Sequence, residues 1–394
     1  MLKLDKNTKE LEKNEQVKIT KNKKERSKYW DIVKGIGILS IVIGHSTSII
    51  MLHNFVYTFH LVIFYFIAIY FYNENKYGEK PFDYFAHRLK SVWGKYVFCS
   101  TIIILLHNFF LKYNFYTNMK YYTNVTEYII RIINAIILKG SEHFLGALWF
   151  VPTLVIASSI FAGIVYISRK INNILKENEN EETIKYIFII ILSVFIGIIG
   201  IVLNTYGIGL AYEMHTVCLI MPICSLAYFF RILVDKFNKF EKINKWYIAL
   251  ILAILSIMFI YLVVVKNGIV IDLAQEKIIN GYMFYIVSIV GIIFCLSISK
   301  IIELIPIINK WFIVLGKNSF YIMAFHFVCI KLVDVIYARI INETNPTIIG
   351  HWVSTYSEKL WIIYVIVGTV LPILISFAFD LIKRNINNYI NDKK

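Results

Sequence analysis

From Tyr29 onward, apolar side chains gather into long runs separated by short segments rich in Lys, Asn and Glu. Each run is near the ~20 residues a helix needs to cross the hydrocarbon core. The pattern predicts ten spans, at about residues 31–52, 55–72, 92–111, 148–168, 186–203, 209–230, 247–265, 281–299, 311–334 and 360–382. The expected fold class is therefore all-α: a polytopic membrane helical bundle of about ten transmembrane helices. In the largest external segment, 112–147, the run from Val125 to Leu138 is amphipathic and predicts an interfacial helix or a partly re-entrant piece. No internal or inverted repeat is visible, and no soluble domain is expected after the tenth span.

Composition supports this reading. The chain is 58% hydrophobic and 17% charged, whereas a soluble domain is about half apolar and a quarter charged. Its net charge of +15 would suggest nucleic acid, but the distribution points elsewhere. With the N-terminus inside, the segments on the cytoplasmic side hold 29 Lys and Arg and the external ones 8. That is the positive-inside asymmetry; it predicts both termini in the cytoplasm and no nucleic-acid partner. Residues 1–28 read as a disordered basic cytoplasmic tail, 29–384 as the membrane domain and 385–394 as a second cytoplasmic tail. The first apolar run is too long for a secretory signal and lacks a small-residue cleavage site. The expected location is the cell membrane, as a multi-pass protein. All five cysteines fall inside apolar runs and read as small buried hydrophobes. No Cys/His spacing suits a metal, and none is expected.

The first run carries the chemistry. Ionisable groups are costly in hydrocarbon, so Asp31, Lys34, His45 and His60 each mark a functional position. Lys34 and His45 are eleven residues apart, three turns plus about 20°, so they share a helix face with ~16 Å of axis between them. A cation below and an imidazole above suit the two ends of a long, thin ligand. The span boundaries also enclose Lys95, Lys317 and Lys331. Together with Arg88 and Lys90, a ring of cations near the inner face would hold phosphates; ordinary snorkelling to headgroups is the other account. His326 lies about as deep in the ninth span as His45 in the first, and imidazole is the side chain best suited to proton transfer near neutral pH. Ser319 falls on nearly the face of His326 and is a candidate for the donor channel, beside Asn318. At the outer mouths, His60, Glu142, His143, Trp149 and Glu213 are candidates for orienting an acceptor. Aromatic belts account for most of the remaining Tyr and Trp.

The same stretches resemble the integral-membrane acyltransferase 3 family. Its first helix reads approximately D-x-x-R-G-(apolar)-G-H, matched by Asp31, Lys34-Gly35 and Gly44-His45; its second opens F-H-x-x-(L/I)-F, matched by Phe59-His60 and Ile63-Phe64. Ala147–Val155 and Leu315–Val328 are also similar, the latter to the fucose 4-O-acetylase-like branch. The chain departs from the pattern at Lys34, where the family has Arg, at Ser91, where an R-x-x-R element starting at Arg88 would end, at Ala68-Ile69 in place of Ser-Gly, and at Lys95 in place of Pro.

The resemblance implies an O-acyltransferase. An acyl group, most often acetyl, would leave cytoplasmic acyl-CoA for a hydroxyl of a cell-surface or lipid-linked polysaccharide. His45 would serve as general base or transient acyl carrier, with His326 beside it. Lys34, Arg88, Lys90, Lys317 and Ser319 would bind the donor. Acyl-CoA is then a substrate, and no cofactor is needed; the other partners are the glycan and the bilayer. A transporter or flippase of a lipid-linked glycan is the rival, although its usual repeat symmetry is missing. A sensor that binds without turnover is a third reading, favoured by the departures at Lys34 and Ser91.

Overall fold

The computed structural model describes residues 28–117, 119–140, 142–175, 182–237, 245–269, 271–273, 277–278, 281–350 and 354–392. The expected basic tail lies outside these residues except for Lys28. Among the described residues the only strands are Ile271–Asp272 and Lys277–Ile278, an antiparallel pair; the rest of the regular structure is helical.

Helix α1 covers 28–46. It is followed by α2 (Ile50–Tyr57), α3 (Val62–Tyr70), α4 (Glu74–Tyr77), α5 (Pro81–Leu105), α6 (His107–Lys112) and α7 (Val125–Ile136). A 3-10 turn, His143–Trp149, leads into α8 (Phe150–Leu175), α9 (Thr183–Thr205), α10 (Met214–Leu219) and α11 (Met221–Phe237). The chain ends with α12 (Trp246–Ile260), α13 (Gly281–Glu303), α14 (Pro306–Lys317), α15 (Ser319–Ile340), α16 (Pro346–Ile349) and α17 (Ser357–Asp392). By length and composition, 7 helices of the described residues can cross a membrane, and the pair Ala211–Leu219 and Met221–Lys236, bent by 55°, makes up to 8. Helix α5, at 25 residues, is as long as several of these, and α1, over 28–46, is nearly as long as the shortest. They are less apolar because α1 holds Asp31 and Lys34, and α5 holds Arg88, Lys90 and Lys95. The protein is a multi-pass helical membrane protein.

Several predicted spans are divided, two of them beside the site. The run 31–52 breaks after residue 46, where the Thr47 hydroxyl accepts the Ile49 N–H at 3.0 Å. Such local side-chain bonds compete with the helix ladder. The run 311–334 breaks at Asn318, and α15 continues well past 334. The break lets α14 cross α1 at backbone distance. A Cβ on Gly316 would stand 1.9 Å from the Asp31 carbonyl oxygen, and one on Gly35 2.3 Å from that of Phe312. Two glycines on facing helices make this crossing possible, and it fixes the part of α1 that carries Asp31 and Lys34.

The amphipathic run forms a helix that folds back along α5. Asn124 caps α7 by accepting the Glu127 N–H at 3.1 Å. Just before it, Tyr122 is tied to Asn108 of α6 by two backbone–amide bonds of 2.8 and 2.9 Å. At the other end, the Trp93 indole N–H donates to the Ile136 carbonyl at 2.9 Å and the Tyr96 hydroxyl to that of Leu138 at 3.2 Å. Trp93 and Tyr96 lie some 18 and 14 Å before the end of α5 at 1.5 Å per residue. Helix α7 therefore descends antiparallel to α5 over about half the hydrocarbon thickness. The chain then climbs back, so that Glu142 returns beside His107.

At the opposite end of the bundle, Glu74 accepts from Arg169 and Lys185, each at 3.0 Å, and from the Tyr228 hydroxyl. That knot joins α4 to α8, α9 and α11.

Candidate active site

His45 stands in the last turn of α1, and its ring centroid is 5.4 Å from that of His326 on α15. Phe327 closes one side at 4.8 Å, and Tyr57 of α2 lies at 6.5 Å. Behind Tyr57 are His53, stacked on it at 3.9 Å, and His60 at 4.3 Å. His326 is fully buried. Its Nδ1 meets the Ile322 carbonyl oxygen at 2.9 Å and that of Met323 at 3.1 Å, so in the neutral ring Nδ1–H donates and Nε2 keeps its lone pair. Among the described residues Nε2 has no protein partner. The two imidazoles meet at similar depth, as expected; what differs is the helix, which restarts at Ser319, so that His326 is about 10 Å from its start.

A buried charge pair that the sequence reading overlooked stabilises this end of α1. The Lys331 ammonium donates to Asp334 Oδ2 at 3.1 Å and to the Thr355 hydroxyl at 3.1 Å. The same carboxylate accepts the Thr355 N–H at 3.0 Å and the Tyr364 hydroxyl. Neighbouring Ser354 donates to the His45 carbonyl at 2.9 Å. The segment that seals the C-terminal end of α1 is thus fixed by an ion pair with both side chains at most 1% exposed. Opposite charges at i and i+3 inside an apolar run were the available signal; Asp334 sat at the predicted boundary and escaped notice.

On the donor side, Lys34 remains on the helix of His45, in an ion pair with Asp31 at 2.6 Å. Of the other proposed cations, Lys317 directly follows Gly316, the glycine packed against the backbone of Asp31 and Gly35. Lys90 and Lys317 are exposed, and Arg88 is half-buried. Lys95 lies 6.0 and 5.9 Å over the rings of Phe320 and Tyr321. Ser319 begins α15, while Lys317 ends the separate helix α14. The side chain that ties this junction is Asn318, whose Oδ1 accepts from Ser376 at 2.8 Å.

The acceptor-side candidates separate into groups. His60 belongs to the histidine cluster. Glu142 is buried, with Oε2 2.9 Å from His107 Nδ1 and Oε1 accepting the Tyr122 hydroxyl. His107 is stacked on Tyr122 with centroids 3.7 Å apart and planes 5° from parallel. Its Nε2 is 2.9 Å from the Lys120 carbonyl oxygen. Burial depresses the imidazole's pKa, but the Glu142 carboxylate and the Lys120 carbonyl outweigh it, and the net shift is upward. His143 stands next to Tyr116, 5.6 Å between centroids, on the 3-10 turn that packs against α15. Trp149, half-exposed, borders Phe150. Glu213 is elsewhere, on α10's approach, 3.1 Å from His215. No group of three or more His, Cys, Asp or Glu among the described residues could hold a metal ion.

The arrangement joins a cation and an imidazole along one helix, a second imidazole from α15 beside the first, and a polar cluster on the hairpin side. A family model described as an acyltransferase domain matches residues 27–381, from the start of α1 into α17. No curated protein and no solved structure matches the chain. On a match that takes in His45, His326 and nearly all the described helices, the chain belongs to the acyltransferase 3 family and is a membrane acyltransferase.

Proposed function

We propose that this acyltransferase moves an acyl group, acetyl in the first instance, from cytoplasmic acyl-CoA to a hydroxyl of a cell-surface or lipid-linked saccharide. In this reading it lies in the cell membrane with ten spans and both termini inside; α1, α5 and the bent pair join the seven apolar helices. The supporting observation is the pairing of His45 and His326 across 5.4 Å, on the helix that carries Lys34.

The donor's phosphates lie by Lys34, whose ammonium is held by Asp31. The pantetheine arm follows the shared face for ~16 Å to His45. His45 takes the proton of the acceptor hydroxyl as the oxygen attacks the thioester carbonyl carbon. The new C–O bond replaces the C–S bond, and the proton passes to the leaving thiolate, so that CoA departs as a thiol. His326, with Nδ1–H committed to a backbone carbonyl, offers Nε2 as the second proton acceptor. General-base help of this kind contributes roughly 10²–10⁴-fold. Glu142 and His143 belong to the acceptor side.

Purified protein incubated with labelled acetyl-CoA tests the reading, together with mass analysis of surface saccharides from cells with and without the protein. A mass increment of one acetyl group that depends on the protein is expected. Movement of a saccharide across vesicles with no acyl transfer would instead support the flippase.

A further inference from the structure

The hairpin that returns along α5 borders a cavity of about 560 Å³, lined in part by the acceptor-side residue Glu142. Its floor is the buried pair His107 and Glu142, and one wall is the upper part of α7. Glu127, Arg131 and Asn134, at i, i+4 and i+7, share that wall. The opposite side of α7 is apolar and uncovered: Val125 is 73% exposed, Ile129 50% and Ile133 52%. In a helix that descends alongside a membrane-spanning one, such a stripe faces acyl chains. Ile130 belongs to both surfaces, lining the cavity while 52% exposed. The cavity therefore has a polar interior and a rim continuous with a lipid-facing ridge.

Its chemistry is specific. A carboxylate, a guanidinium and an amide are planar groups that engage neighbouring hydroxyls, and Tyr121, 53% exposed at the rim, presents a ring for the apolar face of a sugar. Two basic side chains, Lys120 and Arg131, are balanced by two acidic ones, Glu127 and Glu142, which suits a neutral head better than a phosphate. We propose that this cavity binds the saccharide head of a membrane-resident amphiphile, whose alkyl tail lies along the isoleucine ridge of α7. The inference rests on the acyl-transfer reading for its purpose: the acceptor arrives sideways from the outer leaflet rather than as the end of a water-borne polymer.

The probe is dodecyl maltoside with a diazirine at the end of its tail, photolysed with the full-length protein in phosphatidylcholine nanodiscs. Cross-linking is expected within residues 125–137, reduced by excess dodecyl maltoside but not by dodecyl phosphocholine, which has the same tail and a different head. Free maltose is expected to compete far less well. Tyr121→Ala, an exposed position, and Asn134→Gln are each expected to reduce labelling about fivefold, the effect of losing one contact of hydrogen-bond strength. Equal competition by dodecyl phosphocholine, or full competition by maltose, overturns the proposal, as does unchanged labelling in both variants. His45→Ala should label normally. Head-specific labelling in a protein that transfers no acyl group would defeat the acyl-transfer reading and leave the cavity assignment standing.

Discussion

His326 is held by its own helix: Nδ1–H is taken up by the Ile322 carbonyl, and Nε2 lies buried beside His45 with no protein partner among the described residues. A buried ring nitrogen left open in this way asks for an explanation, and proton transfer supplies one. His326→Ala is therefore expected to lower turnover by roughly 10²-fold or more while leaving binding of a non-hydrolysable acyl-CoA analogue intact. Turnover within twofold or so of the parent, in a protein with unchanged melting, would return His326 to packing. At His107 the expectation concerns pH. Its folded pKa is raised, so the stabilisation is fully present below the unfolded value and is lost as pH rises through the folded value. Melting temperature should fall as pH is raised above about 6.5, and this fall should be missing from His107→Gln. A parallel profile in both proteins would remove the imidazolium from the account. His45 and His326 could be found from the sequence because an ionisable residue in an apolar run is conspicuous. The His107–Glu142 pair depends on a return of the chain, whereas Lys331–Asp334, at i and i+3 of one helix, is legible in the spacing and only its Thr355 and Tyr364 partners require the fold.

At the scale of elements, hydropathy located the apolar runs but not their interruptions. The breaks after residue 46 and at Asn318 come from side-chain bonds to backbone and from a glycine-to-glycine crossing, which an average over a window smooths away. That crossing yields a test. Gly316→Ala places a methyl 1.9 Å from a backbone oxygen, and overpacking of this kind costs about 1–3 kcal/mol. Lower thermal stability in detergent, with a weaker response of donor binding to Lys34 substitution, is expected; an unaltered melt would show that α14 yields freely. The amphipathic run 125–138 left two possibilities open, an interfacial helix or a re-entrant one. The bonds from Trp93 and Tyr96 place the end of this helix against the middle of α5, and no periodicity could have supplied those partners.

For the whole molecule, the charge asymmetry between segments predicts the orientation of the bundle. Single cysteines at Lys120 and at Lys236, in a protein whose native cysteines are replaced, should react oppositely with an impermeant thiol reagent on intact cells. Lys120 is expected to label and Lys236 to be protected until the membrane is opened. The reverse result would place the donor on the wrong side of Lys34.

The central claim is that one helix, α1, holds the donor at Lys34 and performs chemistry at His45. The direct measurement determines analogue binding and turnover on the same purified Lys34→Ala and His45→Ala proteins. Lys34→Ala should raise KM for acyl-CoA and weaken the analogue, with Lys34→Arg tolerated. His45→Ala should bind the analogue as the parent does and lose turnover by roughly 10²–10⁴-fold. Parental turnover in a folded His45→Ala protein, or loss of donor binding there while Lys34→Ala binds normally, would contradict the account.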